Sequence, residues 1–253
     1  MQITFLGTGT SQGVPIIACP CNVCGSTDSR DKRLRTSILI ETNNKTFVID
    51  TGPDFRQQML RENVKQMDAI IFTHEHKDHT AGFDDIRAFN FINKKKMEVY
   101  ASDRVQEAIK REYPYVFDGT KYPGIPEVNL HLLENKKIII EGVEILPIEV
   151  MHYKLPVFGF RIGDFSYITD ANYISDVEKE KLKNSKVLVL NALRREAHIS
   201  HFTLEEAIEL VKELKPEKAY FTHISHQLGL HSDVLKELPS TIEIAYDGLK
   251  INL

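Results

Sequence analysis

Short apolar runs open the chain, and similar runs then alternate with stretches of helical period, twice over. Residues 3–6 read as a strand entering the glycine-rich turn Gly7-Thr8-Gly9-Thr10, and residues 37–41 and 46–50 predict a hairpin across Asn43-Asn44. A helix is expected over 54–63, where Phe55, Met59 and Leu60 share a side, and a buried strand over 69–72. Beyond it the pattern predicts a helix around 84–90, a strand at 98–101 and a helix from about 103 to 112. The stretch 113–129 carries Pro114, Pro123 and Pro126 and is expected to be loop. Strands are expected next at 137–140, 143–150, 157–162, 165–169 and 187–190. A capping box of Thr203 and Glu206 opens a helix with the apolar stripe Ala207, Ile208, Val211 and Leu214, and Lys215-Pro216 ends it. A strand at 219–222, a short helix near 233–238 and two last strands complete the chain. No linker interrupts this order, so residues 1–253 read as one domain, an α/β (α+β) chain with two sheets packed face to face and helices outside.

Composition changes little. The 253 residues are 42% hydrophobic and 27% charged, ordinary for a globular chain, and no window approaches the ~20 apolar residues of a membrane span. The start Met-Gln-Ile-Thr-Phe-Leu-Gly has neither a basic nor a continuous apolar segment, so no signal peptide is expected and the cytoplasm is the expected location. A net charge of −4 offers nucleic acid no general attraction. The basic groups Arg30, Lys32, Arg33 and Arg35, and Lys94-Lys95-Lys96, read as solvated surface.

The chemistry is concentrated in Thr73-His74-Glu75-His76-Lys77-Asp78-His79, which places four metal-competent side chains within six residues directly after a strand. The chain must turn there, and such a turn can aim His74 and His76 at one metal while Asp78 and His79 face a second. Imidazole with carboxylate suits zinc, manganese or iron. A lone histidine is usually packed or solvated; four convergent ligands need the charge compensation that a metal supplies. The three cysteines all fall within Cys19-Pro20-Cys21-Asn22-Val23-Cys24. That is a poor disulfide framework and a better metal loop, given a fourth ligand from elsewhere.

The histidine segment resembles the signature of the metallo-β-lactamase superfamily, and the likeness extends to Gly7-Thr8-Gly9-Thr10-Ser11 and Ile49-Asp50-Thr51-Gly52. Within it the chain most resembles the PhnP-type cyclic-phosphate phosphodiesterases, whose wider relatives include tRNA 3′-processing endonucleases and a quinone-cofactor biosynthesis protein. The resemblance implies an αββα four-layer sandwich with two divalent metals, zinc or manganese, held at one edge. His152 resembles the third histidine of the first metal, Asp170 the bridging aspartate and His223 the last histidine of the second. Asp50 is read as orienting a ligand rather than binding metal. Aspartate rather than cysteine at 170 argues against a typical β-lactamase. Histidine rather than glutamate at 76 argues against the oxygen-reducing di-iron branch.

The same phosphodiesterases carry a Cys-x-Cys-x-x-Cys loop and a histidine three residues past the last metal ligand, which Cys19, Cys21, Cys24 and His226 match. Such a set implies one structural zinc with no open position. His201 resembles their non-ligand catalytic histidine, with nearby His198 the competing candidate; His131 and His231 read as ordinary. The expected reaction is hydrolysis of a small or cyclic phosphodiester by a hydroxide shared between two metals, with Asp78 orienting it and His201 acting on the leaving group. Nucleic acid is a less favoured partner, and a homodimer stays open. Rival readings are an RNA endonuclease using Lys94-Lys95-Lys96, a thioesterase or lactonase, and a noncatalytic zinc-bound scaffold.

Overall fold

In the computed structural model, which describes residues 1–119 and 122–253, the chain begins with β1 (Gln2–Gly7) and the hairpin β2 (Ser37–Thr42) and β3 (Lys45–Ile49). Asn43 and Asn44, at φ of 52° and 58°, close that hairpin. Two successive positive φ angles give a turn whose twist matches its strands, and asparagine tolerates them better than most side chains. Helix α1 (Phe55–Arg61), β4 (Ala69–Ile71), the single turn α2 (Lys77–Thr80) and α3 (Arg87–Asn93) come next. Then come β5 (Met97–Ala101), α4 (Asp103–Glu112), α5 (Pro114–Phe117) and β6 (Val128–Leu132). The second half runs β7 (Ile138–Ile140), β8 (Val143–His152), β9 (Leu155–Ile162), β10 (Phe165–Tyr167) and α6 (Asp176–Leu182). It continues with β11 (Val187–Asn191), α7 (Leu204–Leu214), β12 (Lys218–Thr222), α8 (His231–Glu237), β13 (Ile242–Ile244) and β14 (Lys250–Asn252).

Each half builds a seven-stranded sheet, in the orders β14-β1-β2-β3-β4-β5-β6 and β13-β12-β11-β10-β9-β8-β7. In the first, β14 to β3 are antiparallel and β3 to β6 parallel. In the second, β7 to β10 are antiparallel and β10 to β13 parallel. Parallel neighbours need a crossover, and the helices supply one at each step. Alternation along the strands fills three apolar layers. Ile3, Phe5 and Phe47 meet Phe160 and Tyr167 between the sheets. Leu6, Val48 and Phe72 turn outward to Phe55, Phe89 and Ile109 of α1, α3 and α4. Leu190 and Phe221 meet Leu182, Leu210 and Val234 of α6, α7 and α8. The αββα sandwich expected from the resemblance is the fold.

Three expectations need correction, and one helix, α6, had no expectation at all. The stretch 113–129 is not all loop, since it holds α5 and the start of β6; its residues 120–121 lie outside the described residues. Proline marks a boundary, but it also sits well in the first turn of a helix, as Pro114 does. The helix around 84–90 is a 3-10 turn, Phe83–Ile86, leading into α3. Helix α6 was not legible because only Glu178 and Leu182 of its seven residues are buried, leaving no apolar stripe; its signal is the Ser175 cap. Arg33 is not solvated surface but buried, donating to the Thr8 hydroxyl at 2.8 Å and the Ala245 carbonyl at 2.6 Å.

Candidate metal centre

Strand direction decides where the polar residues gather. β8 runs antiparallel to β9 and β9 to β10, so β8, β10, β11 and β12 all point one way. His152 ends β8, Asp170 lies three residues past β10, and His223 directly follows β12. In the other sheet Asp50 follows β3 and the histidine segment follows β4. Asp50, Asp170 and His223 all sit at positive φ (66°, 54° and 55°), a conformation unfavourable for residues with a Cβ and worth about 1–3 kcal/mol each. Two glycines let the ligand loop settle. A Cβ on Gly52 would lie 2.2 Å from the Asp78 carbonyl oxygen, and one on Gly82 2.2 Å from that of Gly52.

The side chains converge in two groups. His74, His76 and His152 form one, with ring centroids 4.6–5.6 Å apart; Asp78, His79, Asp170 and His223 form the other. Asp170 stands between them: its oxygens lie 3.0 Å from His223 Nε2 and 3.2 Å from His79 Nε2, and it also clusters with His152 and His201. Asp50 reaches both groups from below. It accepts from His79 Nδ1 at 2.7 Å and from the Thr73 hydroxyl at 2.7 Å, while that hydroxyl accepts from His74 Nδ1 at 3.0 Å. His152 Nδ1 donates to the Ser200 carbonyl at 2.8 Å. Each bond takes up Nδ1 and turns Nε2 of that histidine toward the centre. Thr73 lies inside the motif, but nothing in the sequence marks Ser200.

Charge decides what the site wants. Burial alone would raise the Asp170 carboxyl, yet His223 and then His79 hold it well below the usual carboxylate range. His79 and His223 keep Asp78 low against the same penalty. Burial likewise opposes protonation of His223, but Asp170 and then Asp78 push it up to about 9, and Asp78, Asp170 and Asp50 push His79 well above its ordinary value. The buried Asp170 and the half-buried Asp78 thus demand positive charge, while burial holds the Asp50 carboxyl above its ordinary range. His79 Nε2 and His223 Nε2 meanwhile make no hydrogen bond among the described residues. Burial, helped by His79, pushes His74 well below the ordinary imidazole value, and burial lowers His152, leaving neutral nitrogens as donors. This donor set fits two divalent cations sharing Asp170.

His201 is buried beside the centre, its ring 4.6 Å from His152 and 4.7 Å from His223 and its Nδ1 3.8 Å from Asp170. Burial and then His223 push its pKa down to about 2, so the ring is neutral. His198 lies one step further out, 5.1 Å from His201, and its Nδ1 accepts from the Ser200 amide.

Cys19, Cys21 and Cys24 surround His226 Nδ1 at 3.3, 3.3 and 3.6 Å. Tetrahedral zinc with Zn–S of ~2.3 Å and Zn–N of ~2.0 Å puts sulfur and nitrogen about 3.5 Å apart, so the spacing fits that ion. The Cys24 amide and then His226 lower the Cys21 thiol to about 6, whereas burial pushes Cys24 up to about 11. His226 starts a 3-10 turn three residues after His223, so this group ties the N-terminal loop to the loop of a metal-centre residue.

Residues 45–224 match the Beta-lactamase superfamily domain. The chain belongs to that superfamily. Among solved structures, a diphosphatase of the PhnP family superimposes on this superfamily member with a TM-score of 0.94, at 38% identity over 100% of this chain and 97% of the other. A ribonuclease Z from Borrelia garinii is 23% identical across 88% of this chain and 90% of its own length. An octanoyltransferase from Porphyromonas gingivalis is 39% identical across 99% of this chain, but the chain spans only 51% of that protein. Membership of the superfamily implies divalent metal binding, and the groups around Asp170 are the candidate ligands.

Proposed function

We propose that this chain is a dinuclear-metal phosphodiesterase acting on small or cyclic phosphodiesters. The observation that carries the reading is Asp170 shared between two ligand groups with His201 alongside. Ions bound there would activate water near neutral pH and neutralise charge on the phosphoryl oxygens. Asp78 and Asp170 hold that charge in place, and the buried, neutral His201 offers an N–H to the leaving oxygen.

A cleft of about 520 Å³ opens beside the centre, lined by His76, His152, Arg104, Tyr153, Lys154 and Ser200. Its size suits a small substrate and its Lys154 suits an anion, Arg104 being paired with Glu75. A larger depression of about 750 Å³ lies between α6 and α7, but its carboxylates, Asp176, Glu205, Glu206, Glu209 and Glu213, outnumber Lys179 and Lys212 and disfavour a phosphate. The diphosphatase and ribonuclease relatives both act on phosphate linkages, as their names state. A second reading, hydrolysis of an acyl thioester, rests on the octanoyltransferase likeness, although half of that protein lies outside the match.

The test is a panel on metal-reconstituted protein: bis(p-nitrophenyl) phosphate, cyclic phosphodiesters, a short RNA, an octanoyl thioester and a lactone. Turnover of the small diesters above the rest is expected. A preference for the thioester would overturn the proposal, and so would a preference for RNA.

A further inference from the structure

Two residues of the ligand segment, and Thr80 just past it, engage α4 and the Tyr113 that follows it rather than either metal group. Glu75, between His74 and His76, forms an ion pair with Arg104 in the first turn of α4. Lys77, between His76 and Asp78, pairs with Glu112 at the other end of that helix. Thr80, next to His79, accepts at its carbonyl from the Tyr113 hydroxyl at 3.2 Å.

Both helix charges are on the wrong end for helix stability. The N-terminus of a helix favours anions and its C-terminus cations, and Asp103, Lys110 and Arg111 follow that rule. Arg104 and Glu112 break it. Residues that oppose the local rule mark positions where another demand prevails. The demand is not global stability, because ion pairs with an exposed partner contribute only about 0–1 kcal/mol. In each pair the carboxylate is the sheltered member, 15% exposed at Glu75 and 17% at Glu112, against 63% at Arg104 and 67% at Lys77. Each sheltered carboxylate therefore has one cation beside it.

We infer that α4 is a splint for the ligand loop, and that its two ends position the two metal groups separately. Arg104 acts through Glu75 on the His74, His76 and His152 group. Glu112 and Tyr113 act through Lys77 and Thr80 on the group containing Asp78 and His79. This rests on the two-metal reading of the centre and not on the identity of the substrate.

The test tracks metal rather than turnover. Holoprotein is dialysed against graded chelator, and the occupancy of each group is read from anomalous scattering in crystals. Residues that orient metal ligands typically govern affinity about 10–100-fold. Glu75→Gln should weaken the three-histidine group about tenfold or more while the Asp78/His79 group changes less than about threefold. Glu112→Gln and Tyr113→Phe should give the opposite pattern, and Arg104→Lys should retain more metal than Arg104→Ala. Equal losses at both groups would overturn the splint, as would no loss, or losses that track the melting temperature of the metal-free variants. A wild-type chain with no metal at either group would overturn the metal reading as well.

Discussion

At Asp50, Asp170 and His223 the backbone takes a conformation that a residue with a Cβ avoids, and each of the three faces the centre from a strand end. Their side chains are also among the least exposed polar groups in the protein. Strain and burial are held there by contacts with the charges opposite. His201 differs, because its position favours contact with a substrate rather than a metal. His201→Ala should keep its metals yet slow an alkyl cyclic phosphate about 10²–10⁴-fold, and a nitrophenyl diester, whose leaving group needs little help, far less. His198→Ala should do much less on either substrate. Steady-state rates on both substrates check this, and equal losses for His201→Ala would assign it to the metals instead. The sequence named His201 through resemblance alone. Its separation from His198 is a matter of which ring lies beside Asp170, and only the packing shows it.

At the scale of elements, α8 begins on a buried histidine that reads as ordinary in the sequence. The His231 amide donates to Asp31 at 2.8 Å, and its Nδ1 faces the Arg33 guanidinium at 3.3 Å. Burial, then Arg33 and Arg30, push its pKa down to about 4 against the opposing pull of Asp31 and Asp28. An unfolded histidine titrates near 6.5. Between pH 6.5 and 4 the unfolded chain therefore binds a proton that the folded one refuses, so stability falls as pH drops through that window. At pH 5 the loss is at most about 2 kcal/mol. Urea denaturation of wild type and His231→Gln at pH 7 and pH 5 measures it, and the wild type should lose more stability on acidification. A glutamine that loses as much would show that His231 is not the group responsible.

For the whole molecule, two kinds of candidate metal group lie near one another, tied by the His223–His226 loop. One has three thiols and an imidazole closed around a point; the other opens on a cleft. Fully loaded protein should carry about three ions, as these ligand groups imply. A mild chelator should abolish turnover before the fold melts, since the open centre exchanges more easily. Cys21→Ser should lose one zinc and lower Tm by roughly 5 °C, the shift expected of about 2 kcal/mol in a chain of this size. Metal analysis with a thermal melt decides it. An unchanged zinc content would show that these cysteines hold no metal.

The features legible in the chain alone come from local chemistry. The short apolar runs of β1 to β3, the Thr203 capping box, and the crowding of His74, His76, Asp78 and His79 after β4 are properties of neighbouring residues. The assembly around them is not local. β13 and β14 read alike in sequence, yet one joins β12 and the other pairs with β1 in the opposite sheet. Arg33 reads as one more surface cation until Thr8, Ala245 and His231 close over it. Asp170 meets His223 because β10 and β12 lie two strands apart in one sheet, and meets His79 because the loop after β4 of the other sheet reaches the same edge. Periodicity and capping act over a few residues and so are written in the sequence. Burial and charge compensation depend on which distant strands pair, and the tertiary structure alone decides that.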